Sequence, residues 1–204
     1  MCQFIETIQI VDGNILHPQW HKFRMKRTIE HFFGCNKSSE ISDIQNVLAQ
    51  IPFPHGLLKC RILYSSAIEN IEYFPYTRPQ FQKFRLIHCD DIEYSFKFAA
   101  RADIEELFGK RGNADEIIIV KNECITDTSI ANLVFFDGKH YFTPDTPLLR
   151  GTRRERMLDE GIIAEKRITI VDLTDFVSFF PINAMSPETP EILYDISQIE
   201  KKQG

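Results

Sequence analysis

The chain has 204 residues, of which 43% are hydrophobic and 26% are charged, and its formal net charge is −5 at pH 7. This length allows one large domain or two small lobes, and the acidic balance argues against a general affinity for nucleic acid or anionic membranes. No apolar run approaches membrane-spanning length, and the opening MCQFIETIQI has no signal-peptide pattern. We therefore expect neither nucleic acid nor a membrane as a partner.

Cysteine usage predicts the compartment. The five cysteines are odd in number, scattered, and never in CxxC spacing: Cys2, Cys35, Cys60, Cys89 and Cys124. Such a distribution favours free thiols in a reducing cytoplasm over disulfides or a zinc site. We predict a cytoplasmic protein without a metal site.

The first 90 residues predict the order β, α, α, β, β, β. FIETIQIV alternates as a strand and ends at the turn pair Asp12-Gly13, and Pro18 opens a helix that stops at Gly34. Ser42 and Gln45 have capping-box spacing for a second helix running to about Gln50. LLKCRILYSS and AIENIEYFPY then resemble paired strands, followed by KFRLIHC.

The remaining residues predict a second lobe after the polar stretch DDIEYS. ADIEELFGKRG predicts a short helix, and DEIIIVKNECIT and ANLVFFDGKHYF predict strand pairs. Thr152 and Glu155 have capping-box spacing for the helix TRRERMLDEG. RITIVDL and FVSFFPIN predict strands, and the polar end of the chain is expected to fray. The fold class is α+β, with lobes at residues 1–90 and 91–204.

The start of the TRRERML helix indicates an anion site. Free amides at a helix N-terminus bind anions, and the glycine before them lets an oxyanion approach. Arg150, Arg153 and Arg154 make this start positive, although basic residues are unfavourable at this end of a helix. A surface helix with basic residues at its start explains the same pattern, so the residues alone leave both interpretations open.

Other candidate residues are weak when taken singly. Arg24 follows Phe23 in the first helix, and a surface arginine with a buried stem is its simplest explanation. His17 and His21 have i,i+4 spacing, but no nearby acid completes a metal site. Lys97 lies between aromatic residues that could desolvate its amine, as imine-forming lysines need, although a strand-edge lysine is the usual explanation.

Taken in order, several segments resemble the class IV aminotransferase family, which comprises pyridoxal-phosphate enzymes of fold type IV. YSFKFAARADIEELF, ADEIIIVKNECITDTSIANLVFF, LLRGTRRERMLDEG and FPINAM resemble its second lobe. FIETIQI and HKFR resemble its FETIR strand and its HxxR motif, so the likeness covers nearly the whole chain. The resemblance implies a two-lobed fold, an N-terminal α/β lobe and a C-terminal β-rich pseudobarrel lobe, with pyridoxal 5'-phosphate as cofactor.

The resemblance implies the catalytic residues of the second lobe. Lys97, with Arg101 four residues later, matches the family's KxxxR, so Lys97 is the expected Schiff-base lysine. Asp127 falls where the family carries a carboxylate against the pyridine nitrogen. The family's usual acid is glutamate, which is one methylene longer than Asp127.

The resemblance also implies a phosphate site. Arg24 of HxxR matches the arginine that holds the phosphate, and Gly151 and Thr152 match the start of the family's GIT turn. Arg153 replaces the threonine of GIT; its amide would serve equally, while its side chain adds charge near the phosphate. Asn183 and Ala184 match the turn near phosphate and substrate, where an Asn-Ala pair is typical of lyases.

The implied function is therefore an aminodeoxychorismate lyase of folate biosynthesis, which releases pyruvate and leaves 4-aminobenzoate. An amino-acid aminotransferase with the same site is the alternative, and a protein that keeps the fold without turnover is the third. The family also implies a small-molecule amino substrate and a homodimer. The chain begins almost at the FETIR match, so we expect it to lack the segment that helps to line the substrate side in longer members of the family.

Overall fold

The computed structural model describes residues 2–34 and 55–200, and it divides into two compact units. The first unit runs to Arg78 and also includes Phe96–Ala100, and the second contains Pro79–Ser95 and the residues from Arg101 onward. The helix expected between Ser42 and Gln50 lies outside the described residues. In the described part of the chain, no helix is long and apolar enough to cross a membrane.

The first unit is an antiparallel sheet with one long helix. Its elements are β1 (Phe4–Val11), β2 (Asn14–Ile15), α1 (Pro18–Phe33), β3 (Leu57–Tyr64) and β4 (Ile68–Pro75). The strands are ordered β2-β1-β3-β4. Asp12 and Gly13, with φ of 47° and 79°, form the tight turn between the first two strands. Helix α1 begins at Pro18 and ends before Gly34, whose φ of 93° suits glycine.

The buried stripe of α1 determines what faces the sheet. Its buried residues repeat at helical spacing: His21, Arg24, Met25, Thr28 and Ile29. Met25 and Ile29 join the apolar core of this unit with Phe4 and Ile8 of β1. The same stripe therefore places two basic side chains of α1 inside the unit.

The segment Phe96–Ala100 packs within the first unit. The Ile5 amide donates to the carbonyl of Lys97 at 2.9 Å, and the Ala99 amide donates to the carbonyl of Gln3 at 2.9 Å. These bonds place Phe96–Ala100 beside the start of β1, which explains why this segment belongs to the first unit. The division into lobes at 1–90 and 91–204 stays a prediction, and the structure groups Lys97 with the residues of β1.

The second unit is dominated by strands. Its regular elements are β5 (Phe84–His88), α2 (Ala102–Gly109), β6 (Glu116–Lys121), β7 (Cys124–Thr128), β8 (Asn132–Phe136), β9 (Tyr141–Pro144), α3 (Thr152–Asp159), β10 (Ala164–Lys166), β11 (Ser178–Ile182), β12 (Tyr194–Asp195) and β13 (Ile199–Glu200). Short 3₁₀ helices cover Val171–Asp175 and Ile196–Gln198. The strand order is β10-β9-β8-β7-β6-β5-β13, and β11 pairs with β8 and β12.

The core of the second unit lies beneath these strands. Phe84, Ile118, Leu133 and Phe135 are fully buried in it together with Phe179. Strand β6 is buried along nearly its whole length, as its run of β-branched residues predicts for a central strand. The α+β class is confirmed, with a helix-bearing first unit and a strand-rich second unit.

Three local predictions were wrong. RITIVDL does not form a strand, because Asp172 accepts from the amide and hydroxyl of Thr169 and a 3₁₀ helix begins at Val171. The chain end does not fray before Glu200, because Tyr194 and Ile199 are buried in the core and β13 pairs with β5. The helix at Thr152 begins where expected, but it has no capping box.

Candidate active site

In the first unit, Glu6, His21 and Arg24 form a buried cluster. Arg24 donates to Glu6 through Nε at 2.8 Å and through Nη2 at 2.6 Å, and His21 Nδ1 lies 2.6 Å from Glu6 Oε2. The two basic residues are three positions apart on α1 and so share its buried face. Glu6 lies on β1 beneath that face, so strand and helix together fix the guanidinium in one orientation.

The protonation states in this cluster follow from its charges. Burial alone would raise the pKa of Glu6, but the Arg24 charge and the bonds from His21 and Arg24 lower it to about 2. Burial lowers the pKa of His21, against the opposing effect of Glu6. His21 is therefore neutral near pH 7 and donates Nδ1–H to an ionised Glu6.

Lys97 belongs to the same unit. Its side chain is half-buried, and its positive charge contributes to lowering the pKa of His21. The flanking Phe96 and Phe98 pack against the apolar core of this unit. The first unit therefore brings together two of the expected site residues, Lys97 and Arg24, around a neutral histidine.

In the second unit, Asp127 is buried in β7 and is held by neutral donors. Its Oδ1 accepts from Asn132 Nδ2 at 2.7 Å, and its Oδ2 accepts from the Leu149 amide at 2.9 Å. Burial raises the pKa of Asp127 to about 6, against the lowering effects of these donors and of the Arg154 charge. This carboxylate would gain from a cation in direct contact.

Asn132 links Asp127 to the start of α3. Its amide nitrogen also donates to the Leu149 carbonyl at 2.7 Å. A β-carbon at Gly151 would lie 2.1 Å from Asn132 Oδ1, so only glycine leaves room for this amide. Asp127, Asn132 and the loop before α3 therefore form one hydrogen-bonded group.

Helix α3 begins without a side-chain cap. Its N-cap is Gly151, with no side-chain hydrogen bond, and Thr152 is the first helical residue rather than the cap. The predicted capping box is absent because Thr152 already has helical geometry, and Glu155 instead bonds Arg154 at 2.9 Å. A helix start without a side-chain cap retains its capacity for an anion.

The arginines near this start have different environments. Arg150 is exposed, whereas Arg154 is buried and donates to Glu165 Oε1 at 2.6 Å and to the Pro144 carbonyl at 2.9 Å. Arg153 is also buried, and its guanidinium faces the carbonyls of residues 186–188. The positive charge at this helix end is thus partly explained by contacts within the protein.

The Asn183–Ala184 pair lies in a closed turn after β11. The Ser186 amide donates to the Asn183 carbonyl at 3.1 Å, and the Met185 amide donates to Asn183 Oδ1 at 2.8 Å. Asn183 Nδ2 reaches the Ile130 carbonyl at 3.3 Å, two residues before Asn132. This bond connects the turn to the β7–β8 hairpin, which contains Asp127 and Asn132, within the second unit.

Arg101, the second residue of the KxxxR match, supports the same hairpin. It donates to the Ser129 carbonyl, and the Ser129 hydroxyl donates to Glu116 Oε2 at 2.9 Å. Burial raises the pKa of Glu116, against its bonds from the amides of Ile117 and Ser129 and from the Ser129 hydroxyl. Arg101 therefore anchors the loop that follows Asp127.

Sequence reasoning missed Glu6 and Asn132, and it considered His21 only as a metal ligand. Glu6 stands within FIETIQI, the match to the FETIR strand, and His21 is the histidine of HKFR, so both motifs contained the signal. Asn132 lies directly opposite Asp127 in the β7–β8 register, which the hairpin pattern could have indicated.

A family model and a relative of nearly the same length match this chain. The sequence model described as Amino-transferase class IV matches residues 95–190. An uncharacterized protein of Haemophilus influenzae is 40% identical over 186 residues, which cover 91% of this chain and 99% of that protein.

Solved structures give the same result. A protein of Haemophilus somnus, provisionally assigned as a 4-amino-4-deoxychorismate lyase, is 31% identical with a TM-score of 0.78, covering 91% of this chain and 97% of that one. An amino-acid aminotransferase, also provisionally assigned, from Mesorhizobium loti has the same fold, with 19% identity, a TM-score of 0.75 and coverage of 99% and 100%. The chain belongs to the class IV aminotransferase family of fold type IV and is a pyridoxal-phosphate-dependent enzyme, a lyase or a transaminase.

Proposed function

We propose that this enzyme is a lyase of the aminodeoxychorismate type, with Lys97 as its Schiff-base lysine. It would convert 4-amino-4-deoxychorismate into 4-aminobenzoate and pyruvate, an elimination in which the two products contain all the atoms of the substrate. The observation that carries the site is the group Asp127, Asn132 and Gly151, which joins a buried acid to an uncapped helix start.

The chemistry of this group fits pyridoxal phosphate. A protonated ring nitrogen would supply a cation that Asp127 does not contact among the described residues. The amides after Gly151 at the start of α3, including those of Thr152 and Arg153, suit a phosphate. Arg24 is assigned to the phosphate by its place in the HKFR match alone. When bound, the cofactor draws electrons away from the substrate carbon that loses a proton.

The residues of this chain would supply proton transfer and positioning. The Lys97 amine takes the proton from the carbon that bears the substrate amino group. Asp127 would hold the ring nitrogen protonated, and the Asn132 amide fixes the orientation of this carboxylate. The Asn183–Ala184 turn contributes to placing phosphate and substrate. The departing three-carbon unit leaves as pyruvate once a proton is returned to it.

Two observations favour the lyase over the aminotransferase. The Haemophilus somnus protein resembles this chain over almost the whole length of both, and its provisional assignment is a lyase. The chain also has an Asn-Ala pair at positions 183 and 184, as is typical of the lyase branch. A role in folate biosynthesis follows from this substrate assignment. A homodimer also belongs to the proposal, and light scattering of the purified protein tests it.

A cytoplasmic location is part of the same proposal. Among the described cysteines, all are free thiols: Cys2, Cys60, Cys89 and Cys124. Free thiols are usual in a reducing compartment. Fractionation of the producing cells, with the protein detected by antibody, tests the location.

The first experiment tests the cofactor and its lysine. Purified protein with pyridoxal phosphate should become yellow, and borohydride should fix the cofactor to the peptide that contains Lys97. Lys97→Ala should fold normally and lose the fixed label, while the exposed Lys139→Ala serves as the control and should keep it. Label on another lysine, or no uptake of cofactor, would reject the proposed site.

The second experiment separates the two reactions. The enzyme is incubated with 4-amino-4-deoxychorismate alone and, separately, with panels of amino donors and keto-acid acceptors. Pyruvate release without any acceptor, in equal amount to 4-aminobenzoate, is expected. Turnover that requires a keto acid would assign the protein as an aminotransferase instead.

A further inference from the structure

The segment after the Asn183–Ala184 turn is held against α3 by arginine. Arg153 Nη1 donates to the Ser186 carbonyl at 2.8 Å, and Nη2 donates to the carbonyls of Pro187 and Glu188, the latter at 2.9 Å. Three consecutive carbonyls thus converge on one buried guanidinium. Because backbone carbonyls are fixed groups, these bonds determine where the segment lies relative to the first turn of α3.

A second arginine holds the side chain of the same segment. Arg156 Nη2 donates to Glu188 Oε2 at 2.7 Å, while its Nη1 lies 3.2 Å from Glu160. Arg153 Nη1 also lies 3.9 Å from Glu188 Oε1. Glu188 is therefore held at its carbonyl by one arginine and at its carboxylate by the next turn of the helix.

The held segment is continuous with the turn. Ser186 closes the turn, because its amide donates to the Asn183 carbonyl and its hydroxyl accepts from the Asn183 amide at 3.0 Å. The Ser186 carbonyl is also the first of those that Arg153 binds. The guanidinium of Arg153 therefore binds the same residue, Ser186, whose amide and hydroxyl close the Asn183–Ala184 turn.

We propose that Arg153 is a positioning residue, which fixes the Asn183–Ala184 turn against the start of α3 rather than binding phosphate through its side chain. This inference rests on the proposed function in so far as the turn serves cofactor and substrate. The threonine of the family's GIT turn has one hydroxyl donor and could not hold three carbonyls. An arginine at position 153 therefore gives the turn an anchor that the threonine of the GIT pattern would not supply.

Hydrogen exchange on the cofactor-free protein tests the structural part. We expect Arg153→Gln to speed exchange at the amides of Met185 and Ser186 at least about tenfold, since charge-assisted bonds no longer hold the segment. Arg153→Lys should also exchange faster, because a compact ammonium cannot reproduce the planar fork. Arg150→Gln, which removes the same charge from an exposed side chain, should leave exchange in this segment unchanged.

Kinetics at saturating cofactor test the functional part. In Arg153→Lys, the KM for the amino substrate should rise about tenfold, while kcat changes by less than about threefold, since binding rather than proton transfer depends on the turn. If the Arg153 side chain instead bound the cofactor phosphate, its replacement would lower cofactor affinity and leave hydrogen exchange in the turn unchanged.

The possible results decide between these roles. Unchanged exchange at Met185 and Ser186 in both Arg153 variants would overturn the inference, and so would failure of both variants to fold. The exchange measurement uses no cofactor and no turnover. If the wild-type protein bound no pyridoxal phosphate, the proposed function would fail, while the exchange data would still decide whether Arg153 orders the turn.

Discussion

Glu6 in the first unit and Asp127 in the second are both buried carboxylates, yet their pKa values shift in opposite directions. The pKa of Glu6 falls to about 2 and that of Asp127 rises to about 6. Burial favours the neutral acid at both sites. The difference comes from contacts, because Arg24 bonds Glu6 directly, whereas Asp127 is bonded by the neutral groups of Asn132 and Leu149.

This difference separates a structural acid from an acid suited to a ligand. The charge of Glu6 is compensated within the protein, so its ionised form is stable and orients Arg24. The charge of Asp127 is stabilised by dipoles, with Arg154 acting on it electrostatically but not bonded to it in the structure. A cationic ring nitrogen beside Asp127 would therefore bind strongly and, in turn, keep the carboxylate ionised.

Loss of the Glu6 charge is expected to have the largest effect on stability. Glu6→Gln leaves the buried Arg24 without its counter-charge, and breaking a buried pair in this way costs about 4 kcal/mol of unfolding free energy. Glu72→Gln is the matched control, since Glu72 pairs with Arg61 on the same sheet in a partly exposed pair. Urea unfolding at pH 7 should show less than about 1 kcal/mol for the control. Similar losses in both variants would contradict the assignment of Glu6.

Loss of the Asp127 charge is expected to reduce catalysis. Asp127→Asn removes the group proposed to keep the ring nitrogen protonated, so kcat should fall about a hundredfold to a thousandfold, as for other preorganised charges. The label that borohydride fixes on Lys97 should remain. Glu116→Gln, which alters another buried acid of the same unit, should change kcat by only a few-fold. A full kcat in Asp127→Asn would remove Asp127 from the site.

The two acids should also differ in their linkage to pH. An unfolded Asp127 ionises near 3.8 and the folded one near 6, so the folded state holds an extra proton between these values. Stability from this group therefore falls as the pH rises through that window, by about 3 kcal/mol, and stays lower above it. The Glu6 contribution behaves oppositely: it is present above 4.5 and is lost as the pH falls through about 2.

Unfolding of the cofactor-free protein at several pH values measures this linkage. Wild type should lose stability relative to Asp127→Asn between pH 4 and pH 7, whatever constant difference separates the two proteins. Parallel stability curves would show that the Asp127 carboxyl has an ordinary pKa. Added cofactor should reduce the pH dependence of the stability difference between the two proteins, because a cation beside the Asp127 carboxylate lowers its pKa.

The sequence predicted the strand and the helix that hold Glu6 and Arg24, but it did not predict the contact between these two side chains. The alternation of FIETIQIV and the proline start of α1 are local patterns, and both elements formed as expected. The bond between Arg24 and Glu6 joins residues 18 positions apart, and nothing in the spacing indicates it. The resemblance pointed to Arg24 for its phosphate role without indicating which carboxylate orients it.

Similar reasons explain the errors in the second unit. RITIVDL has the β-branched residues of a strand, but the side chain of Asp172 captures the Thr169 amide and turns the backbone. The polar C-terminal residues include two buried anchors: Tyr194 packs on Phe84 and Phe179, and Ile199 pairs with Phe84. Arg153 likewise binds carbonyls 33 to 35 residues away. These contacts depend on tertiary structure.

The smallest expected effect tests the link between Asp127 and the start of α3. Gly151→Ala would place a β-carbon 2.1 Å from Asn132 Oδ1, and the Asn132 amide could move only by weakening its bonds to Asp127 and Leu149. We expect a loss of about 1 to 2 kcal/mol in urea unfolding. Gly109→Ala is the control, because a β-carbon there meets nothing within 4 Å.

A double-mutant cycle then identifies the cause. With Asn132→Ala in place, Gly151→Ala should be nearly neutral, because the side chain that it would displace is absent. A loss of the same size in both backgrounds would place the strain elsewhere in the loop. Cofactor affinity should follow the same pattern in the four proteins of the cycle, since Asn132 joins the acid proposed for the ring nitrogen to the helix start proposed for the phosphate. Coupling in stability without coupling in affinity would mean that Asp127 and the helix start act on the cofactor independently.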